Sequence, residues 1–315
     1  DLIAEEDMVI TISHAGYVKR LALEAYRKQK RGGRGLTGIK MRDEDFVQHL
    51  FVASTHSYIM FFTDAGRCYT IKVHEIPIAS RTARGKAIVN LLRLANGERI
   101  SSLLPVTEFS DDRFLMMATR KGQIKKTVLS EYKNIRKSGL WAIKLRTGDA
   151  LIGAAITNGS EEIILAKRSG LANRFRETEV RTTSRQTAGV RGVSLLGDDE
   201  VVGMVALEAG DTLLSVTENG FGKRSEVEDY RLTARGTRGV INIKTNERNG
   251  EVVSIMKVKD NDQLMMITKN GIIIRCPVEE IRVMGRATMG VKLINLDEGD
   301  GVVDVAHLAV EDEED

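Results

Sequence analysis

The feature that most limits what this chain can fold into is a pair of landmarks repeated six times. A turn ends in glycine at Gly16, Gly66, Gly122, Gly170, Gly220 and Gly271, spaced near-evenly along the chain. A second glycine follows each one: Gly35, Gly85, Gly139, Gly189, Gly239 and Gly290. The offset is the same in five repeats and slightly shorter in the third. A repeating unit near fifty residues with strand-type pattern has the size of a propeller blade, whereas helical repeats are shorter and read with period 3.6. A single core rarely grows past ~250–300 residues. An array of 315 residues escapes that limit because each unit packs only on its neighbours. The expectation is one all-β array over residues 1–315, with no Ser/Gly-rich linker and only three prolines to interrupt it.

The fifth repeat shows the unit most plainly. Thr212 to Val216 is an apolar strand, Thr217-Glu218-Asn219-Gly220 a turn suited to positive φ, and Phe221 to Arg224 the start of the return strand. The basic loop Arg235-Gly236-Thr237-Arg238-Gly239 precedes an alternating strand, Val240 to Lys244, and Glu251-Val252-Val253 begins a fourth. In other repeats the strand before the turn is apolar throughout, as in Tyr58 to Phe62, Phe114 to Ala118 and Gln263 to Ile267. Strands apolar on both faces lie between packed sheets. Met116, Met117, Met265 and Met266 are therefore core candidates, and so is Trp141. Cys68 and Cys276, the only cysteines, read as small strand residues rather than a disulfide. The five histidines lack metal-ligand spacing, and no run of ~18 apolar residues offers a membrane span.

Net charge is only +3, but its distribution is uneven. The six segments from each turn glycine to its second glycine carry +6, +3, +4, +2, +2 and +1, and the rest of the chain carries −15. Equivalent segments of successive blades occupy equivalent positions around a disc, so these make a belt of positive charge on an otherwise acidic body. Arginine and lysine beside glycine suit phosphate contact: the guanidinium forks onto phosphate oxygens and glycine lets the backbone approach. The loops lack the interleaved aromatics of single-strand binders, and no long amphipathic helix offers itself to a major groove. Such a belt is expected to bind duplex backbone with little sequence preference. The candidate rim residues are Arg27, Lys28, Lys40, Arg81, Arg84, Lys86, Lys133, Arg136, Lys137, Arg181, Arg185, Arg191, Arg235, Arg238 and Arg286. A body of this length has a radius of roughly 25 Å. Bending a duplex half a turn around it costs on the order of 10 kcal/mol, which only several blades gripping together can offset.

The strongest local motif is Gln29-Lys30-Arg31-Gly32-Gly33-Arg34-Gly35 in the loop of the first repeat, with weaker versions at Ser80–Gly85 and Ala234–Gly239. With six repeats around it, this segment resembles the seven-residue gyrase-A box found in the C-terminal domain of the bacterial DNA gyrase A protein, with Lys30 where arginine is usual. Asp1-Leu2-Ile3 with Glu5-Glu6-Asp7, Tyr17–Arg20, Pro105–Phe109, Asn219–Arg224 and Asn246–Gly250 look like further signatures of that family, so the resemblance covers the whole chain. It implies a six-bladed β-pinwheel whose blades exchange strands, with the box, Gln29 to Gly35, closing the ring and contacting DNA. It further implies duplex DNA wrapped in a positive sense on the rim, in a cytoplasmic, nucleoid-associated A2B2 holoenzyme. That assembly would join this domain to the N-terminal part of the gyrase A protein and to the gyrase B protein. ATP and Mg²⁺ would serve the holoenzyme, and this domain would be non-catalytic with no cofactor of its own. The acidic end, Glu311 to Asp315, reads as a solvated tail; as a functional alternative it competes with DNA for the rim.

Three other readings compete. The C-terminal domain of the topoisomerase IV A protein has related repeats, usually with a degenerate box and often fewer blades. A protein-interaction propeller does not account for positive charge in all six segments. A propeller enzyme would place acidic or histidine clusters at recurring positions near the channel, and none recurs.

Overall fold

The computed structural model describes residues 2–24, 45–80 and 82–308. The motif Gln29–Gly35, the rim candidates Arg27, Lys28, Lys40 and Arg81, and the tail Glu311–Asp315 lie outside the described residues.

Six antiparallel sheets form a ring, giving a six-bladed β-propeller. Each repeat opens with a hairpin. In the fifth, β16 (Thr212–Thr217) and β17 (Phe221–Glu226) pair through Val216 and Gly222. The hairpin glycine carries the left-handed backbone (Gly220 φ +83°) and its N–H donates to the Thr217 carbonyl at 3.0 Å. Asn219 is not left-handed; among the described residues only Asn134, at φ +61°, is a non-glycine with positive φ. A hydroxyl at the first turn position completes several of these hairpins. Thr119 Oγ1 accepts from the N–H of Gln123 at 3.1 Å, and Ser13 Oγ from that of Tyr17 at 3.0 Å.

After the hairpin of repeats two to six the chain makes a 3-10 turn, Val227–Asp229 in the fifth repeat, and crosses to the outer edge of the preceding sheet. There it pairs for two residues only: β18 (Val240–Ile241) lies against β13 (Leu171–Arg176) of the fourth sheet. The alternating strand expected over Val240–Lys244 is therefore cut to two residues, because the chain must leave that edge to return to its own blade as the innermost strand β19 (Val252–Val258). The same exchange places β6 (Lys86–Ala87), β10 (Leu140–Trp141), β14 (Val190–Arg191) and β22 (Val291–Lys292) on the sheet before their own. Five sheets have four strands; the sixth has three among the described residues.

Burial follows the two-sided strands. Met60 and Phe62 point into one inter-blade core with Leu115, Met117 and Leu151, while Ile59 and Phe61 of the same strand point into the other with Ile10, Ile12 and Val18. Met116, Met117, Met265 and Met266 are buried, as are Cys68 and Cys276, which are unpaired thiols. Where the sixth blade meets the first, the described core is smaller: Phe46, Met265 and Ala306, with Ile267, Ile273 and Leu308 against it. His49 at this junction is pushed down to about 4, by burial first and then by the neighbouring His307 and His14. Trp141 departs from its expected place in the core. It is 51% exposed, because position two of a two-residue outer strand faces away from the ring.

Candidate nucleic-acid interface

The crossing explains the second glycine of repeats two to six. At Gly239, φ is +85°, and a Cβ there would lie 2.6 Å from the Ala172 carbonyl carbon on the sheet being joined. At Gly85 it would lie 2.5 Å from the Val18 carbonyl oxygen. The loop presses so closely on its neighbour that a side chain has no room.

Beneath the loops runs a row of side chains at one register of the return strands of the hairpins. Lys19 Nζ donates to the carbonyls of Ser80 (3.1 Å) and Ala83 (2.7 Å) in the loop of repeat two. Lys125, fully buried, donates to the carbonyls of Ala142 (2.7 Å) and Arg185. Asn173 reaches Gly192 (3.2 Å) and Ala234 (3.3 Å), and Lys223 reaches Gly285 (2.9 Å) and Arg286. Burial pulls Lys125 down to about 7 and Lys223 to about 8. One residue further along each strand the side chains are again structural. Lys126 pairs at 3.5 Å with buried Glu177, whose carboxylate also accepts from Thr157 Oγ1 and the Glu161 N–H, both at 2.7 Å. Arg174 bonds the carbonyls of Val227 (3.0 Å) and Tyr230 (2.8 Å), and Arg224 pairs with Asp260 at 2.6 Å. Part of the positive charge counted in the basic segments thus lies inside the protein and holds neighbouring blades together.

The rim candidates divide in the same way. Arg185, Arg235 and Arg286 are half-buried and stand four residues before the second glycine. Arg185 Nη1 donates to the Trp141 carbonyl at 3.1 Å; Arg235 and Arg286 make the equivalent bonds to the carbonyls of Arg191 and Ile241. Each clips its loop to the outer strand of the previous repeat. Close packing of successive loops thus brings each of these guanidinium groups against a backbone acceptor. Arg84, Lys86, Lys133, Arg136, Lys137, Arg181, Arg191 and Arg238 are exposed. Arg84 stacks over the Tyr17 ring at 3.9 Å. The rest make no ion pair among the described residues. Lys133, Arg136 and Lys137 line an open groove of about 580 Å³ with Lys72, His56 and Glu75. The clip arginines were legible as basic residues, but their register against a neighbouring repeat's carbonyl was not.

This arrangement defines a strand-exchanged propeller with solvent-facing cations on its exchanged outer loops. The chain belongs to the family described as DNA gyrase C-terminal domain, beta-propeller, whose model matches residues 7–54, 57–107, 113–158, 168–208, 211–259 and 262–308, one interval per blade. Its sequence is 54% identical over its full length to the DNA gyrase A protein of Halalkalibacterium halodurans and 46% identical to that of Escherichia coli. The chain spans 38% and 36% of those two proteins, about a third of the length of either. Among solved structures it resembles a DNA gyrase A C-terminal domain (TM-score 0.71, 27% identity, 96% of this chain and all of that one). It also resembles the C-terminal domain of a DNA topoisomerase IV (TM-score 0.85, 26% identity, 97% of this chain and 94% of that one).

Proposed function

We propose that this chain binds duplex DNA without marked sequence specificity and bends it in a positive wrap around its rim, as the wrapping domain of a DNA gyrase. The observation that carries the reading is the recurrence of exposed cations on the outer loops and outer strands of successive blades: Arg84, Lys86, Arg136, Lys137, Arg181, Arg191 and Arg238. A single patch can hold a duplex, but only cations spread around a curved edge can offset the cost of bending it. Supercoiling, strand cleavage and ATP hydrolysis with Mg²⁺ would then belong to the assembled enzyme. Its other parts, the N-terminal region of the gyrase A protein and the gyrase B protein, would be the partners, with no cofactor bound here.

The topoisomerase IV reading has one observation in its favour, the higher TM-score, but that score compares ring shapes, and the two structural identities are nearly equal. The much closer sequence matches to gyrase A proteins favour the wrapping reading. The test is topological. The chain is added to nicked circular plasmid, the nick is sealed, the protein is stripped and the linking number is resolved. A positive shift that disappears when Gln29–Gly35 are replaced by alanine is the expected result. Binding with no shift would reduce the chain to a tether and sink the wrapping proposal.

A further inference from the structure

Trp141 is the only tryptophan of the chain. It is half in water although the cores on either side of its blade are full of smaller apolar residues. It is also rigidly held. Trp141 pairs with Arg67 and Leu140 with Cys68 at the edge of the second sheet. The Arg185 guanidinium bonds the Trp141 carbonyl and the Lys125 ammonium bonds that of Ala142. The Arg67 guanidinium lies over the indole, 5.0 Å from the ring centroid, and is tied to the Ser138 carbonyl. The equivalent slots of later repeats hold Arg191, Ile241 and Lys292, all exposed. The indole therefore occupies an outer-strand slot that holds an exposed cation in repeats four and six.

We propose that Trp141 is a DNA contact, packing its indole against deoxyribose on the inner side of the bent duplex beside the Arg67 guanidinium. This rests on the wrapping reading above. Insertion between base pairs is unsuitable at this place: a wedge opens the stack on its own side and turns the duplex away from the protein. On the concave side of a bend the groove facing the protein narrows, which favours an arginine in it and brings apolar sugar faces together. An aromatic edge meets those faces without reading sequence. Such a contact displaces no counterions, so it adds affinity without adding salt dependence, whereas each phosphate contact steepens the salt slope. Ile241 in the matching slot is smaller and 36% exposed, so its contact is the weaker one.

A single tryptophan lets fluorescence report this site alone. The wild-type chain is titrated with duplex DNA at several salt concentrations, with binding followed in parallel on end-labelled DNA. The expected result is an emission change that saturates together with binding. Trp141→Ala should bind about tenfold more weakly, the loss expected for some tens of Å² of apolar surface left unburied, with an unchanged slope of log K against log salt. Trp141→Arg, which copies the slot of repeat four, should fold normally and steepen the slope by about one. Constant emission while labelled DNA binds, or wild-type affinity in Trp141→Ala, would overturn the proposal. So would emission that ignores DNA but responds to the remainder of the gyrase A protein, a sign of a protein contact instead. Failure of the wild type to bind DNA at all would remove the wrapping reading itself, and so is distinguishable from failure of the tryptophan contact alone.

Discussion

The loop of the third repeat and the loops of repeats four to six occupy equivalent places on the rim but use their charge differently. In repeats four to six the arginine four residues before the second glycine bonds a backbone carbonyl of the previous outer strand. From below, Lys125, Asn173 or Lys223 bonds carbonyls of the same loop. In the third repeat the loop is two residues shorter and Ile135 stands in the clip slot. Below it lies the Tyr69 ring, whose hydroxyl turns away to donate to Glu98 at 2.9 Å. Asn134 absorbs the shortening with its left-handed backbone, and Lys133, Arg136 and Lys137 are left exposed to solvent. Basic composition therefore overstates the solvent-facing charge: the same residue types serve as internal ties in one loop and as exposed cations in another.

That contrast can be broken most severely through the buried pair beneath the fourth loop. Glu177→Ala would leave Lys126 charged and unpaired in the interior, and a loss of about 3–5 kcal/mol is expected in denaturant unfolding. A loss no larger than about 0.5 kcal/mol, the scatter of an ordinary surface substitution, would mean that the pair ties nothing. Gly239→Ala comes next. It forces a side chain onto the Ala172 carbonyl at positive φ, and calorimetry should show about 2–4 kcal/mol of destabilisation. The matching change at Gly16, where a Cβ meets nothing among the described residues, should cost about 1–2 kcal/mol from backbone strain alone.

The ammonium groups under the loops give a pH signature. Lys125 titrates near 7 in the folded chain, lowered from the ordinary lysine value of 10.5. Between those values the unfolded chain binds more protons, so stability rises with pH. A gain of about 2 kcal/mol from about pH 7 to 9 is expected, reinforced above pH 8 by Lys223 and opposed above pH 9 by Cys68, whose thiol burial pushes up to about 12. Lys125→Met should flatten the rise. An equally steep profile in that variant would assign it to other groups. The mildest test compares Arg235→Ala with Arg136→Ala. The first should lower stability by about 1 kcal/mol with a small effect on DNA affinity. The second should leave stability within about 0.5 kcal/mol and reduce the salt slope of DNA binding by about one. Identical behaviour of the two variants would erase the distinction between clip and contact.

Blade number, hairpin positions and the two-sided core strands were legible because each is local. A turn glycine is required by the backbone of its own hairpin, and an apolar run such as Met60-Phe61-Phe62 declares two buried faces whatever it packs against. Periodicity then multiplied one local reading six times. The second glycine was visible as a landmark, but its reason was not: the obstacle at Gly239 is the Ala172 carbonyl of another repeat. For the same reason Trp141, after Gly139 in an apolar-looking stretch, reads as core and stands at the rim.

By itself, then, the sequence determined a six-unit all-β array with an excess of positive charge in each crossing segment, since those properties need only neighbours along the chain. The tertiary structure alone decided which strand completes which sheet, and which cations are ties and which face outward. Charge is a property of a residue, whereas exposure and hydrogen-bond partners depend on what strand exchange brings in from another repeat. A guanidinium 3.1 Å from a carbonyl of the preceding repeat and one in solvent are the same letter until the ring has formed.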